Sequence, residues 1–388
     1  MAPPPCTTSS GTGCSTRDMA DSGRIAINAA IIGERPTGLG IYALEIIRAL
    51  DALGERLLVY TSRPDLIAGR HTRVETISSR MRPERGAGGH LARLLWVQTG
   101  LRRSLRHDRP ALLFNLMPEG VLWPALPQVT TVHDSLPLFY PAEYPRQQYY
   151  FRHYVPAVLK CSRLVIAISE STRRDVVNLH GVPAEKIRVV LPGYDVARFT
   201  PDGPRASGEP YALYVGNVMP HKNLLRLVEA FAAAAHGRPA RLVIRGWGRH
   251  VHVRALEAKI AALGVASRVD WQRYAPAEGL PALYRGARML LLPSLYEGFG
   301  LTALEAMACG TPVITSKTSS LPEVVGDAAL LVDPEDPASI ASAIGRVLAD
   351  DGLAKDLSAR GLARARLFSW EKAGRAVQEA IHEALTPS

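Results

Sequence analysis

Short apolar runs alternate with segments of helical spacing along most of the chain. In the first half, the strand-like runs cover residues 25–32, 57–61, 73–77, 112–114, 129–133, 164–168 and 187–191. Between them, apolar residues recur at helical spacing over residues 41–53, 91–105, 147–160 and 171–179. This alternation is typical of an open parallel sheet covered by helices. We therefore expect an α/β, doubly wound domain in the first half.

A stretch rich in proline and glycine divides the pattern in two. A second alternating series follows it, over residues 212–215, 224–234, 242–244, 253–263, 268–271, 289–292 and 313–315, and residues 338–385 are almost all of helical pattern. We expect domains at residues 24–195 and 211–369, a linker at 196–210 and a C-terminal helical segment at 370–388. Two facing domains of this kind bind ligands at the carboxyl ends of their strands, across a cleft.

The first 23 residues follow neither pattern. They are rich in proline, serine, threonine and glycine, which predicts a disordered tail at 1–23, and Met19 is an alternative start of translation. No apolar run approaches the ~20 residues that a membrane span needs. The four cysteines show neither metal-ligand spacing nor a disulfide framework, so we expect a cytoplasmic protein.

The densest group of candidate functional residues lies in LLPSLYEGFGLTALEAMACG, residues 291–310. A buried strand ends at Pro293, a glycine-rich turn carries Glu297, and the helix that follows carries Glu305. Because two carboxylates repel phosphate, they suit the hydroxyls of a sugar or a ribose.

The turn between these glutamates suits an anion. Gly298 and Gly300 let the backbone approach a ligand closely. The N–H groups at the start of a helix are free to bind an anion, and here they belong to Phe299, Gly300 and Leu301. The motif as a whole predicts a sugar-nucleotide site.

Other strand ends carry further candidates. Gly216 and Asn217 close one strand, and Lys222 begins the next helix, where it can reach a diphosphate; the alternative is a solvated lysine. Arg245 closes another strand and can pair with phosphate, with Trp247 beside it to stack on a base.

His133 closes a strand of the first domain. It can hydrogen-bond a sugar hydroxyl, and the alternative is a core histidine satisfied by Asp134. Gly38 and Gly40 open a helix after the first strand and formally match the dinucleotide fingerprint. The second strand ends without an acidic residue, which argues against an NAD site. We expect instead a loop that lines the cleft, with a plain helix N-terminus as the alternative.

The net charge of +10 concerns partners rather than fold. Basic residues concentrate between Arg63 and Arg109. An apolar stripe within this region is flanked by arginines: Leu91, Leu94, Leu95, Leu101 and Leu105 with Arg93, Arg102, Arg103 and Arg106. The stripe fits either an anionic membrane surface or a core-packing helix with a solvated basic face. The basic residues are not interleaved with aromatic ones, so we expect no nucleic-acid partner.

Two motifs are missing from the sequence. There is no Asp-x-Asp, so a divalent metal holding a diphosphate is not indicated, and no serine or cysteine has the context of a catalytic nucleophile.

Together these residues resemble a known family. The segment YEGFGLTALEAMACGTPVITSKTSSLPEVVGDAALLVDPED resembles the signature of family-4 retaining glycosyltransferases of the GT-B fold. YVGNVMPHKNLLRLVEAFA, TVHDSLPLFYPAEY, VPAEKIRVVLPGYD and FSWEKAG are similar to the same family, in particular its bacterial mannosyltransferase branch of polysaccharide and O-antigen assembly.

The resemblance implies roles for the candidate residues. Glu297 would contact hydroxyls of the transferred sugar, Glu305 would hold the ribose, Lys222 would neutralise the diphosphate, and His133 would face the donor sugar. The backbone of Phe299, Gly300 and Leu301 would meet the sugar and diphosphate. The last helix would cross back onto the first domain.

The sequence departs from the family pattern at two positions. Many relatives carry an arginine where Asn217 stands and a lysine where Trp247 stands, so phosphate binding would rest on Lys222, helped by Arg245. Arg273 and Tyr274 are candidates for reading the base.

We therefore expect a retaining, metal-independent glycosyltransferase without a cofactor. It would transfer a hexose, mannose from GDP-mannose first, to a polyprenyl-diphosphate-linked oligosaccharide at the inner face of the cytoplasmic membrane, for exopolysaccharide or O-antigen synthesis. The alternatives are a UDP-sugar donor and a sugar-nucleotide epimerase or hydrolase on the same fold. A scaffolding subunit is disfavoured because Glu297, Glu305 and Lys222 are all present.

Overall fold

The computed structural model describes residues 23–34, 36–206, 208–273 and 279–386. Within them the chain forms two parallel β-sheets covered by helices, which confirms the predicted α/β class. Except for Gly23, the tail predicted at residues 1–23 lies outside the described residues.

The first sheet has the order β3-β2-β1-β4-β5-β6-β7. Its strands are β1 Ile25–Asn28, β2 Leu57–Thr61, β3 Thr72–Thr76, β4 Leu112–Asn115, β5 Gln128–Val132, β6 Leu164–Ala167 and β7 Ile187–Val189. Every residue of β1, β2, β4, β5 and β6 is buried. Helices cover both faces of such a sheet, which explains why these strands are continuous apolar runs in the sequence.

The second sheet has the order β10-β9-β8-β11-β12-β13. Its strands are β8 Tyr211–Val215, β9 Arg241–Arg245, β10 Val269–Gln272, β11 Met289–Leu292, β12 Val313–Ser316 and β13 Ala329–Val332. We did not predict β13, a half-exposed edge strand in which Leu331 is 44% exposed. The predicted strand at 25–32 is too long, because the chain leaves the sheet after Asn28 and Ile32 N donates to Ala29 O.

Seven helices belong to the described part of the first domain before the linker. They are α1 Leu39–Ala52, α2 Gly86–Trp96, α3 Arg102–Asp108, α4 Leu136–Phe139, α5 Gln147–Tyr149, α6 Val155–Cys161 and α7 Glu170–His180. π-Helical turns at Val97–Leu101 and Tyr150–Tyr154 join α2 to α3 and α5 to α6.

The rest of the described chain carries eight more helices. They are α8 Leu224–Ala234, α9 His250–Ala262, α10 Leu280–Gly286, α11 Leu301–Ala308, α12 Leu321–Val325, α13 Pro337–Ala349, α14 Asp351–Ala365 and α15 Trp370–Leu385. The short helices α10 and α12 were not predicted. The linker packs on α10, where Ala206 N donates to Ala282 O and Arg285 Nε to Pro204 O. Helix α15 packs on α1 of the first domain.

Both sheets have a topological switch point. Strand order reverses between β1 and β4 in the first sheet, and between β8 and β11 in the second. In open parallel sheets the loops on either side of such a point form a crevice at the carboxyl ends of the strands. Lys222 follows β8 and Glu297 follows β11, so the fold brings both to the crevice of the second domain.

Candidate functional site

Glu297 and Lys222 form an ion pair in this crevice. Lys222 Nζ lies 2.6 Å from Glu297 Oε1 and 2.7 Å from Oε2. Ser294 Oγ donates to the same Oε1 at 2.7 Å. The side chains of Lys222 and Glu297 are 18% and 13% exposed, so a ligand in the crevice can reach both. A phosphate would attract the ammonium group of Lys222, and a sugar hydroxyl would donate to the carboxylate of Glu297. A ligand that carries both groups could therefore bind both side chains in place of their ion pair.

Two serines after β12 bind the backbone of the turn that carries Glu297 and Phe299. Ser319 Oγ accepts from Glu297 N at 2.9 Å and donates to Glu297 O at 3.1 Å. Ser320 Oγ donates to Phe299 O at 2.8 Å. Ser319 has a φ of +53°, a conformation that non-glycine residues rarely adopt outside functional or tightly constrained positions. Sequence reasoning missed these serines, and the run of hydroxyl residues at 318–320 was the signal for them.

The N-terminus of α11 faces the ion pair through the Glu297 turn. The helix begins at Leu301, and Gly300 before it has a φ of +109°, which glycine adopts without strain. The N–H groups of residues 299–301 donate to no other described residue. Phe299 itself is buried, with its ring centroid 5.9 Å from that of Phe368. The backbone therefore presents free N–H groups where the motif predicts an anion site, and the Phe299 side chain anchors the turn.

Glu305 lies one turn into α11, in a more enclosed position. Tyr284 Oη donates to Glu305 Oε2 at 2.9 Å. Burial raises the pKa of Glu305 to about 7, although the Tyr284 hydrogen bond and the charge of Arg198 both favour the carboxylate. Tyr284 is fully buried and was not predicted as a site residue. Glu305 is thus a carboxyl group that changes charge near neutral pH.

His133 approaches the same turn from the first domain. Its Nε2 lies 2.8 Å from Leu116 O, and its ring packs edge-on against Tyr42 at 4.6 Å between centroids. Burial lowers the pKa of His133 to about 4, so the ring is neutral at pH 7. Because a carbonyl only accepts, Nε2 carries the hydrogen and Nδ1 is the acceptor. Asp134 does not satisfy His133, since its Oδ1 accepts from Leu136 N instead.

The first domain contacts the Glu297 turn at Gly298. A Cβ atom at Gly298 would overlap the carbonyl oxygen of His133, so only glycine permits this approach. Ser169 Oγ donates to Gly298 O at 2.8 Å, and Thr172 Oγ1 donates to the same oxygen at 3.3 Å. The N-terminus of α7 is in turn capped by Glu323 of the second domain, which accepts from Glu170 N and Ser171 N. The structure thereby brings His133 against the Glu297 turn.

The remaining glycine and asparagine candidates lie at the strand and helix ends. Gly38 is exposed and precedes α1, whereas Gly40 is buried against Pro36. Gly216 follows β8, and Asn217 beside it is exposed. Gly38 and Gly40 therefore lie at the start of the helix after β1, and Gly216 and Asn217 lie in the loop after β8.

Arg245 does not face the crevice, contrary to expectation. Its guanidinium is buried, with Nη2 donating to Asp270 Oδ2 at 2.9 Å and Nη1 to Asp270 O at 3.1 Å. Both terminal nitrogens of Arg245 thus donate inside the sheet. In this arrangement the guanidinium is not positioned for the predicted phosphate contact, and the phosphate role of Lys222 stays a prediction.

Arg273 packs on the ring of Trp247 beyond the ends of β9 and β10. The guanidinium carbon of Arg273 lies 5.2 Å from the centroid of the Trp247 ring, and Trp247 is 57% exposed. Trp271 Nε1 donates to Gly246 O, next to Trp247 in the chain. Tyr274, the other candidate for reading the base, lies outside the described residues.

The apolar stripe of the basic region divides between core and surface. Leu101 and Leu105 are buried, whereas Leu91 and Leu95 are 58% and 60% exposed. Arg93 is buried rather than solvated. No helix in the described residues is both long and apolar enough to cross a membrane. Among the same residues, no cluster of three or more histidine, cysteine, aspartate or glutamate side chains is arranged for a metal ion.

Comparison with known families shows which family the chain belongs to. The model described as "Glycosyl transferases group 1" matches residues 196–364, and that described as "Glycosyltransferase Family 4" matches residues 36–198. The O-antigen chain mannosyltransferase B of Escherichia coli is 35% identical over 262 residues, which are 63% of this chain and 67% of that protein. The chain belongs to the group 1, family-4 glycosyltransferases.

Other members of the family carry different names. The D-inositol 3-phosphate glycosyltransferase of Acidothermus cellulolyticus is 38% identical over 230 residues, 55% of this chain and 51% of that protein. The chain spans between about half and two thirds of the length of such curated relatives.

Solved glycosyltransferase structures share the whole two-domain architecture. The sucrose-phosphate synthase of Thermosynechococcus elongatus aligns with a TM-score of 0.73 at 22% identity, over 93% of this chain and 98% of that one. HepE of Anabaena, in complex with UDP and glucose, aligns with a TM-score of 0.70 at 19% identity, over 93% and 99%. The two sheets therefore form the GT-B fold expected from the sequence.

Proposed function

We propose that the protein is a retaining glycosyltransferase that transfers a hexose, mannose from GDP-mannose first, to a lipid-linked oligosaccharide. The observation that carries this proposal is the Glu297–Lys222 pair at the free N-terminus of α11. A carboxylate for hydroxyls, an ammonium group and unpaired N–H groups converge where a sugar diphosphate would lie. The E. coli O-antigen mannosyltransferase relative supports mannose as the sugar.

The proposed mechanism places charge stabilisation on the leaving group. As the sugar–phosphate bond breaks, negative charge grows on the diphosphate, and Lys222 with the α11 N–H groups stabilises it. The departing phosphate takes the proton of the acceptor hydroxyl, which attacks the same face of the sugar, so the anomeric configuration is retained. No metal ion is required in this scheme, because the ammonium group and the helix end supply the positive charge.

On the acceptor side, a cavity of about 920 Å³ opens beside His133 and Asp134. Its walls come mainly from the first domain and are largely apolar. We assign it to the acceptor, which must meet the donor sugar beside His133.

A peripheral contact with the inner membrane surface would suit such an acceptor. Leu91 and Leu95 are exposed on α2, and Trp123, in a loop packed against α3, is 75% exposed. Arg103 and Arg106 are exposed on α3 nearby. Apolar side chains beside arginines suit an anionic lipid surface.

The experiment measures donor binding and transfer separately. Thermal unfolding with GDP-mannose, GDP, UDP-glucose and ADP-glucose identifies the donor, since a bound donor raises the melting temperature. Transfer to a lipid-linked acceptor extract is then followed, and the anomeric configuration of the product is read by NMR. We expect GDP-mannose to give the largest shift and an α-linked product.

Variants with a matched control test the site. Glu297→Ala and Lys222→Ala should each lower kcat about 100-fold or more, because each removes a group that acts on the developing charge or the transferred sugar. Lys259→Ala is the control, since Lys259 forms a similar ion pair with Glu229 at 2.6 Å in the same domain. Near-parental turnover by Glu297→Ala, or release of sugar without an acceptor at the full rate, would contradict the proposal.

A further inference from the structure

A buried charged cluster lies against the acceptor cavity, away from the Glu297 turn. Glu119 is 1% exposed and accepts from Arg93 Nε at 2.7 Å and from Arg93 Nη2 at 3.0 Å. Arg93 Nη1 donates to Met81 O at 2.8 Å, which fixes the guanidinium. Burial alone would raise the pKa of Glu119, but the contacts with His90 and Arg93 outweigh it and lower that pKa. The carboxylate is therefore ionised and immobile.

His90 connects this cluster to the cavity. Its Nδ1 lies 2.9 Å from Glu119 Oε1, and the ring lines the cavity together with Tyr150, which packs edge-on at 4.8 Å between centroids. An ionised carboxylate only accepts, so Nδ1 carries the hydrogen. In the neutral ring Nε2 is then an acceptor.

The Nε2 atom of His90 is buried and has no hydrogen-bond partner among the described residues. A buried polar atom without a partner is uncommon in folded proteins and marks a position where a ligand or water supplies the bond. The partner of Nε2 on the neutral ring is a donor, such as a sugar hydroxyl, which a hydrocarbon chain does not have.

The other side chains that line the cavity impose a second requirement on its ligand. Tyr144, Tyr150 and Phe151 line it together with Leu94 and Met117. Aromatic and aliphatic side chains pack against a ring that has an apolar face, while a hydroxyl on the same ring donates outward. A pyranose ring meets both requirements.

We propose that His90 is a positioning residue for the acceptor, whose Nε2 accepts a hydrogen bond from one hydroxyl of a pyranose ring in this cavity. Glu119 fixes the tautomer and orientation of His90 through Nδ1. The inference rests on the proposed function, because the ring belongs to the sugar that receives the transferred hexose.

The test uses octyl pyranosides as acceptor probes: the α-mannoside, the galactoside and the N-acetylglucosaminide, with the monodeoxy analogues of whichever is glycosylated fastest. His90→Ala should raise the acceptor KM about 10- to 100-fold, the range expected for losing one buried hydrogen bond. The donor KM and the melting-temperature shift with donor should stay within about twofold. His107→Ala, an exposed histidine on α3 outside the cavity, is the matched control and should change neither KM.

The deoxy series separates a direct contact from a structural effect. For the parent, one deoxy analogue should lose about 10- to 100-fold in kcat/KM, and for His90→Ala the same analogue should lose less than about threefold. His90→Gln keeps an acceptor near the Nε2 position and should recover most of the acceptor KM, which also covers the case in which His90→Ala folds poorly.

Three outcomes would overturn the inference. The first is a deoxy penalty that is the same in the parent and in His90→Ala. The second is an acceptor KM that follows alkyl chain length from hexyl to dodecyl and ignores the hydroxyls, which means that a lipid occupies the cavity. The third is a parent that binds nucleotide sugar yet glycosylates none of the probes. A parent that binds no nucleotide sugar contradicts the proposed function instead.

Discussion

The two glutamates of the motif occupy different environments although only seven residues separate them. Glu297 is paired with Lys222 at 2.6 Å and reaches solvent, whereas Glu305 is enclosed and bonded to Tyr284. The first forms an ion pair with Lys222, whereas burial raises the pKa of the second to about 7. One motif therefore carries an ion-paired carboxylate and a carboxyl group that titrates near neutral pH.

The raised pKa of Glu305 predicts a pH dependence of donor binding. If the ionised carboxylate accepts from the ribose hydroxyls, donor affinity should fall as the pH drops below about 7, by at most about tenfold per unit. Isothermal titration with GDP-mannose from pH 5.5 to 8.5 measures it. Glu305→Gln should bind more weakly at pH 8 and show a flat profile over this range. A parental slope retained in Glu305→Gln would assign the dependence to another group.

The raised pKa of Glu305 also makes the free energy of unfolding depend on pH, in the direction opposite to that of donor affinity. Folded Glu305 holds its proton more tightly than the unfolded chain does, so its contribution to stability is present at low pH and is lost as the pH rises from about 4.5 to 7. His133, His180 and His221, whose pKa values burial lowers to about 4, act in the reverse direction between about 6.5 and 4. The comparison of parent with Glu305→Gln isolates the glutamate, and the variant should gain relative stability as the pH rises.

At the scale of elements, the π-helical turn at Val97–Leu101 explains why the basic helix was hard to interpret from sequence. A π turn adds one residue to the turn and rotates the following helix by about 100° relative to regular spacing. Leu101 and Leu105 thereby face the core, while Leu91 and Leu95 stay exposed. Periodicity alone assigns all of these to one stripe, because it assumes an unbroken helix.

The exposed leucines of α2 and arginines of α3 predict that the protein binds lipid vesicles. The protein should bind vesicles of phosphatidylcholine and phosphatidylglycerol at 3:1, and binding should weaken with salt. Arg103→Ala and Arg106→Ala should each weaken it about fivefold, corresponding to about 1 kcal/mol per arginine near an anionic surface. Sedimentation with vesicles measures the change, and Arg254→Ala, an exposed arginine on α9, is the control. Equal binding to pure phosphatidylcholine vesicles would contradict an electrostatic contact.

Strands and switch points account for what could be predicted of the site. Lys222 and Glu297 come together because each follows a strand that flanks the reversal of strand order. The alternation of elements predicts the parallel sheet, and the structure supplies the order of its strands. The direction of Arg245 was not predictable, since its side chain contacts Asp270 on the neighbouring strand, and that pairing depends on the tertiary fold. Tyr284 was missed because its contact with Glu305 depends on tertiary packing. The hydroxyl run at 318–320 marks Ser319 and Ser320 in the sequence, but only the fold shows that they bind the Glu297 turn.

For the whole molecule, the last helix completes the first domain after the chain has built the second. Gly374 of α15 lies so close to α1 that an added Cβ would stand 2.5 Å from Ala49 Cβ. The indole ring of Trp370 lies 6.0 Å from the ring of Tyr42, which in turn packs on His133. Gln378 and His382 each contact Glu55 Oε1 at 2.7 Å along the edge of the same interface. The C-terminal helix is therefore part of the surface that supports the cleft.

The close approach at Gly374 predicts opposite effects for one substitution at two positions. Gly374→Ala forces α15 away from α1 and should lower the free energy of unfolding by about 1–3 kcal/mol, the usual cost of overpacking. Gly345 lies in α13, and Gly345→Ala places the new methyl group 3.7 Å from Arg238 Nη1, an ordinary contact. This substitution should raise stability by up to about 1 kcal/mol through helix propensity. Denaturant unfolding of both variants measures the difference. Because the substitution is the same, a Gly374→Ala variant as stable as Gly345→Ala would mean that α15 docks loosely in solution, and the support it lends to Tyr42 and His133 would then be absent.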